Sequence, residues 1–368
     1  IDNLRILAAS EKSTIEKSLT PAVQSKLGVY NEDLLEGLDF LLSEMNKRDM
    51  HAVIFLNNYW EWSGGMGQYN AWTSKSEAVD PGDFSNKWQE FNDYVSSFYS
   101  NEKANEYFKK FINEVITRKN KFTDKYYFED PTIMAWQLAN EPRPGNGEAA
   151  IKNIEFYYNW INETAEFIHS IDSNHLVTTG SEGVWGSLNS EAYFLKAHES
   201  PYIDYLTFHL WAKNWGWFKA DDIEGTYAST EKNAINYINE HLQLAKELNK
   251  PITLEEFGLP RNFEYTLRGT LTSARDKYFK KIFEVIYDSA ANGAAIAGTN
   301  FWTWGGDAFK KHDDSIWRKG DPFTGDPPQE PQGLNSIFNT DYNTLKIIKE
   351  HGSKMKLLRE VNENTQKD

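Results

Sequence analysis

Short apolar, β-branched runs alternate along the chain with longer segments whose apolar residues recur every three or four positions. That alternation predicts strand–helix–strand units and a parallel sheet, because parallel strands are buried on both faces and need helical crossovers. Seven runs qualify as strands: Asn3 to Ala8, Ala52 to Leu56, Ile133 to Leu138, Leu176 to Thr179, Tyr205 to Phe208, Ile252 to Glu256 and Ala297 to Trp302. Between them, Leu34, Leu35, Leu38, Leu41, Leu42 and Met45 make one helical stripe. Phe108, Phe111, Ile112, Val115 and Ile116 make a second, and Phe279, Ile282, Phe283 and Ile286 a third. Such stripes are core and carry no functional information.

The expected fold class is α/β, a (β/α)8 TIM barrel, with all 368 residues in one catalytic domain. Strands 2 to 8 of such a barrel are recognisable, and the first β/α unit is the one expected to be missing, since the strand pattern already begins at Asn3. A seven-stranded open barrel would expose two parallel edges, so a preceding strand and helix are expected in the natural protein. No internal repeat or linker interrupts the pattern. The Pro- and Gly-rich segment from Asp321 to Pro331 follows the last strand and reads as a long loop.

Composition narrows the partners. A net charge of −15 argues against nucleic acid, whose binders need basic stripes. No run reaches the length of a membrane span, and Ile1-Asp2-Asn3-Leu4-Arg5 lacks the features of a secretory leader. Cysteine is absent, so thiolate metal sites are excluded and the redox compartment is not readable. The 13 Trp, 19 Tyr and 22 Phe exceed what a core needs, and predict a surface for a ligand with flat apolar faces, such as a sugar.

Catalytic groups of a (β/α) barrel sit at the C-terminal ends of strands. Two acids occupy such places: Glu141, in Ala135-Trp136-Gln137-Leu138-Ala139-Asn140-Glu141-Pro142-Arg143, and Glu256, in Ile252-Thr253-Leu254-Glu255-Glu256-Phe257-Gly258. Glycoside hydrolysis needs one carboxyl to protonate the leaving oxygen and a second to attack the anomeric carbon, about 5–5.5 Å apart in retaining enzymes. The competing reading makes each Glu a helix cap or a rim ion pair. No metal or cofactor is expected, because the eight His are dispersed and neither H-x-x-x-H nor an EF-hand spacing occurs.

With these motifs the sequence resembles glycoside hydrolase family 5, in its β-mannanase and β-mannosidase subgroup. The matching stretches are Leu-Ala-Asn-Glu-Pro-Arg at 138–143, Leu-Glu-Glu-Phe-Gly at 254–258, Thr-Phe-His-Leu-Trp at 207–211 and Asn-Phe-Trp-Thr-Trp-Gly-Gly at 300–306. Asn57-Asn58-Tyr59-Trp60 and Gly64-Gly65-Met66-Gly67-Gln68-Tyr69 add a loop typical of mannan-active members.

The resemblance implies a retaining hydrolase of β-1,4-mannosidic bonds, with Glu141 as acid/base and Glu256 as nucleophile. Strand alternation turns Glu255 away from the mouth and leaves it a structural role. Glu141 is expected to have a raised pKa, from burial and from the charge of Glu256. Asn140 matches the family residue that binds the sugar 2-hydroxyl, Arg5 the one that keeps the nucleophile ionised, and His209 a histidine near it. Where many members carry Tyr, this chain has Trp211, which leaves the nucleophile's hydrogen-bond partner open. Trp302 matches the platform under the sugar, Trp304 is expected behind it or in the core, and Trp60 and Trp62 are candidates to line subsites, as are Trp72, Trp215 and Trp217.

The expected partner is β-mannan or a manno-oligosaccharide, with endo and exo action both open, and a monomer is the default. A polymeric substrate implies a secreted, periplasmic or cell-surface location. The alternatives are an endo-β-1,4-glucanase on the same fold and a barrel that binds carbohydrate without cleaving it.

Overall fold

The computed structural model describes residues 2–82 and 87–365, which fall into two compact units, Asp2–Thr207 and a second beginning at Phe208. The first unit opens with β1 (Asn3–Leu7) and a small antiparallel pair, β2 (Gln24–Lys26) and β3 (Val29–Tyr30). Helix α1 (Glu32–Asn46) leads to β4 (His51–Phe55). After α2 (Gly65–Ser74), α3 (Trp88–Ser96) and α4 (Glu102–Ile116) come β5 (Ile133–Gln137), α5 (Gly147–Ile171), β6 (Leu176–Thr178) and α6 (Glu191–His198). Strands β1, β4, β5 and β6 pair in that order, all parallel.

The helices form where the sequence supplies both a cap and a stripe. The Asn31 side chain accepts from the Asp33 N–H at the start of α1, and Asn101 does the same for Ala104 in α4. α1 buries Leu35, Leu38, Leu42 and Met45, and α4 buries Phe108, Phe111, Ile112, Val115 and Ile116. All of these but Leu35 join Ile54, Trp136 and Trp160 in one continuous core. Each such side chain is worth about 1.5–3 kcal/mol of transfer from water, so the stripes hold the helices on the sheet.

The second unit takes up β7 (Leu206–Leu210), α7 (Ile223–Leu248), β8 (Ile252–Phe257), α8 (Ser273–Ala291) and β9 (Ile296–Thr299). Strands β7, β8 and β9 form its sheet in that order. A short parallel pair, β10 (Trp304–Gly306) with β11 (Ile337–Phe338), brackets the long loop, and α9 (Tyr342–Thr365) follows. Phe257 on β8 packs against Phe279 and Phe283 of α8, with ring centroids 4.7 and 5.5 Å away.

All seven expected strands are present among the described residues, four in one sheet and three in the other. The last ends at Thr299 rather than Trp302. Backbone pairing continues irregularly, through Asn300 N–H to Leu254 O at 2.9 Å and Trp302 N–H to Phe257 O at 2.8 Å. The loop after it is ordered by two buried polar side chains. Asp326 accepts from the N–H groups of Gly333 and Asn335 and from the Ser336 hydroxyl, and Gln332 bonds the carbonyls of Asp326 and Pro327.

Candidate active site

Within the first unit, the chain leaving β5 places Asn140 and Glu141. Their N–H groups donate to Asn57 O and Gly180 O, both at 2.9 Å, which anchors the segment on its neighbours to either side. A side chain at Gly180 would put a Cβ 1.9 Å from Ala139 O, so only glycine lets the two backbones approach this closely. Glu141 itself has φ +49°, a left-handed conformation that costs a non-glycine residue about 1–2 kcal/mol and that surrounding bonds must impose. Two phenols supply some of them: Tyr157 donates to Pro142 O at 3.0 Å and Tyr99 to Arg143 O at 2.8 Å.

The Glu141 side chain is 6% exposed, and its Oε2 accepts the indole N–H of Trp60 at 2.5 Å. Trp60 stands in the loop after β4, stacked on Phe91 at 6.0 Å and 10°. The Arg143 guanidinium lies 4.9 Å from the Trp60 ring and 5.8 Å from that of Trp88. Burial disfavours that charge, but the carboxylates of Glu182, with which Arg143 pairs, and of Glu141 outweigh it and hold the guanidinium above its usual pKa.

Asn140 is held at both ends of its amide. Arg5 donates to its Oδ1 at 2.7 Å, and its Nδ2 donates to Asn58 Oδ1 at 3.1 Å. Asn58 Oδ1 also receives the Trp60 backbone N–H, so one oxygen ties the Trp60 loop to Asn140. Arg5 bonds Gln137 Oε1 as well, at 2.9 Å, and stacks over Phe55.

Within the second unit, β7 and β8 place the other acid. Glu256 is 6% exposed, and its Oε1 accepts the indole N–H of Trp211 at 2.9 Å. The indole therefore supplies the hydrogen bond that the substitution for Tyr left open. His209 is buried with Nδ1 3.8 Å from Glu256 Oε1 and Nε2 3.8 Å from Glu255 Oε2, so one imidazole lies against both acids of the pair. Gly258 lies where an added Cβ would be 2.9 Å from Trp302 O and 3.1 Å from the Trp211 ring, so these two tryptophans close on it only because it has no side chain.

Trp302 is partly exposed just beyond β9, and its peptide bond to Thr303 is cis. Trp304 is 46% exposed, which corrects the expectation that it could be core. Trp62 is buried in the loop after β4, its carbonyl accepting from Leu19 N–H. Trp215 and Trp217 pack on each other and on Tyr237 of α7, and Trp72 packs on Tyr69.

Two residues near Glu256 had no role in the sequence reading. Glu330, in the loop ordered by Asp326, has its pKa pushed up to about 8 by burial, then by the charges of Asp326 and Glu256, against the pull of Lys213. Lys213, just after Trp211, places Nζ 3.4 Å from Glu264 Oε1. Glu330 lies in the Pro- and Gly-rich segment that the sequence marked only as a long loop, and Lys213 lies in no motif.

The sequence model of the family described as "GH family 5 beta-mannosidase-like" matches residues 1–360. A relative named "Putative mannan endo-1,4-beta-mannosidase 4", from Arabidopsis thaliana, is 32% identical over 92% of this chain and 76% of its own length. The crystal structure of a glycoside hydrolase family 5 mannosidase from Rhizomucor miehei is 33% identical, covering 98% of this chain and 85% of that one with a TM-score of 0.86. An endo-1,4-beta-D-mannanase of Thermotoga petrophila RKU-1 is 25% identical, with 97% and 91% covered and a TM-score of 0.66. The fold class is thus α/β, a (β/α)8 barrel, and the chain belongs to glycoside hydrolase family 5, in its β-mannosidase-like group.

Proposed function

We propose that the protein hydrolyses β-1,4-mannosidic linkages by double displacement with retention, Glu256 attacking the anomeric carbon and Glu141 serving first as acid and then as base. That it is a glycoside hydrolase acting on β-mannosides follows from its family and its relatives. The division of roles follows the motifs, Glu141 in Asn-Glu-Pro and Glu256 before Phe-Gly; what supports a working pair of carboxyls is that each of these two buried glutamates receives an indole N–H on one oxygen, Trp60 on Glu141 Oε2 and Trp211 on Glu256 Oε1.

An indole N–H can only donate, so the oxygen it meets is kept as an acceptor. On Glu141 this directs the acidic proton to Oε1, from which it would pass to the leaving group. On Glu256 it stabilises the carboxylate form, as a nucleophile requires, and leaves Oε2 as the attacking oxygen. In the first step Glu256 displaces the leaving sugar while Glu141 gives its proton to the departing oxygen; in the second Glu141 takes a proton from the water that releases the glycosyl ester. Asn140, its amide fixed by Arg5 and Asn58, presents its remaining N–H to the sugar 2-hydroxyl, where the bond strengthens as positive charge builds on the ring. Trp302 supplies the ring on which the sugar face packs.

Removal of single mannose units from chain ends is the mode we favour over internal cleavage. The likeness to the Rhizomucor mannosidase, 33% identical at a TM-score of 0.86, exceeds that to the Thermotoga endo-mannanase, 25% identical at 0.66. A β-mannan or manno-oligosaccharide substrate also suits a secreted or cell-surface protein, and among the described residues no helix is long and apolar enough to cross a membrane.

Proton NMR of early products from mannohexaose tests the whole reading. The β-anomer of mannose alone is expected; an α-anomer ends the retaining mechanism, and a ladder of oligomers ends the exo assignment. Side-by-side assays on mannan and a soluble cellulose derivative test the substrate, with faster glucan cleavage deciding for a glucanase. Glu256→Ala is expected to abolish turnover while keeping ligand binding.

A further inference from the structure

The turn after β8 carries two consecutive non-glycine residues in the left-handed region, Phe263 at φ +58° and Glu264 at φ +55°. It is held there by bonds on several sides. Phe263 N–H donates to Ala220 O, Asn262 N–H to Leu271 O, and the Asn262 side chain bonds Ser273 Oγ and the Ala274 N–H. Arg261, fully buried on Asp341 and Thr270 O, roots the turn from below.

What this rigid turn displays is apolar. Phe263 is 54% exposed and Tyr265 50%, with ring centroids 5.7 Å apart. An aromatic ring in the left-handed region, half in water, is unfavourable twice over and gains no core contact in return. Backbone strain held by surrounding structure concentrates at ligand sites. Rigid aromatic rings at a protein surface are what the apolar face of a pyranose packs against.

The turn is also joined to the nucleophile's surroundings. Glu264 pairs at 3.4 Å with Lys213, which stands two residues after Trp211, the residue whose indole bonds Glu256. Lys213 and Glu264 thus set a donor and an acceptor beside the two rings.

We infer that Phe263 and Tyr265, flanked by Lys213 and Glu264, form an outer subsite that takes a pyranose unit of the manno-oligosaccharide chain beyond the mannoside being cleaved. The inference rests on the substrate reading above and adds residues to it.

Chain-length dependence tests it. The ratio of kcat/KM on mannohexaose to kcat/KM on mannobiose is measured for the unsubstituted protein, Phe263→Gly, Tyr265→Ala and Phe263→Trp. Glycine suits the left-handed backbone at 263 and removes only the ring. The ratio is expected to fall about tenfold in Phe263→Gly and Tyr265→Ala, the loss of one good aromatic contact, and to be kept in Phe263→Trp. General damage to the fold lowers both rates together, and a ratio unaltered in both ring-deleting variants overturns the subsite. If the unsubstituted protein cleaves neither manno-oligosaccharide, the substrate reading fails, and with it this one, by a result that an unaltered ratio does not resemble.

Discussion

The indole N–H of Trp211 lies 2.9 Å from Glu256 Oε1, at a position where many members of the family carry a tyrosine hydroxyl. A hydroxyl both donates and accepts, whereas an indole only donates, so Trp211 can support the carboxylate but cannot hold a protonated Glu256 through that oxygen. Replacing Trp211 with Phe removes a hydrogen bond to a charged acceptor, worth about 1.5–3 kcal/mol. A fall in kcat/KM of roughly ten- to a hundredfold is expected. Trapping with a 2-fluoro mannoside, read by intact-protein mass, is expected to slow in proportion; unchanged trapping would count against Glu256 as the acceptor of that bond.

Trp60 acts on the other half of the cycle. In Trp60→Phe the proton on Glu141 is no longer confined to one oxygen, so substrates with poor leaving groups should suffer most. Mannobiose hydrolysis is expected to drop at least tenfold more than hydrolysis of a dinitrophenyl mannoside, whose departure needs little protonation. Equal losses on both would show that Trp60 serves packing rather than proton transfer.

Glu330 should shape the alkaline limb of activity. Its pKa is raised to about 8, chiefly by burial, so it is neutral below that pH and gains its negative charge near Glu256 only above it. kcat/KM is expected to decline through about pH 8, and Glu330→Gln, neutral throughout, to carry the limb to higher pH. A limb that stays in place in Glu330→Gln assigns it to another group.

Stability should fall as pH rises from about 4.5 toward 8. Glu11, with its carboxyl buried against the Gly65 N–H, has its pKa raised to about 8 by burial, and Glu61 to about 7 by the same cause. Between 4.5 and these values the folded state keeps protons that the unfolded chain has released, so each group costs up to about 1.4 kcal/mol per pH unit. The stabilisation is complete below pH 4.5 and gone above the folded values. Melting curves at pH 5 and 8 are expected to converge in Glu11→Gln relative to the unsubstituted protein.

Strands, helical stripes and the two glutamates were legible because each leaves a local trace: periodicity for the stripes, a strand end with Asn-Glu-Pro or Glu-Phe-Gly for the acids. The alternation of strand side chains separated Glu255 from Glu256 in principle, yet His209 lies 3.8 Å from both, since a neighbouring strand can set one imidazole beside two successive residues. Trp60 was legible as a site residue but not as a donor to Glu141, because that bond spans 81 positions. The core alternative for Trp304 failed because alternation was extended past Thr299, where the regular strand stops. Lys213 and the Phe263 turn left no trace, and Glu330 was visible only as part of a long loop. Their placement depends on how long loops fold, and loops carry no period.

The indoles that fix the two carboxylates stand on segments that follow strands, Trp60 after β4 and Trp211 after β7. Exchange of either loop, the usual route by which barrels acquire new specificities, would therefore remove a proton-directing group along with a recognition surface. On the roles proposed above, a change of substrate that remodels the Trp60 or Trp211 loop must rebuild an N–H donor at the same time.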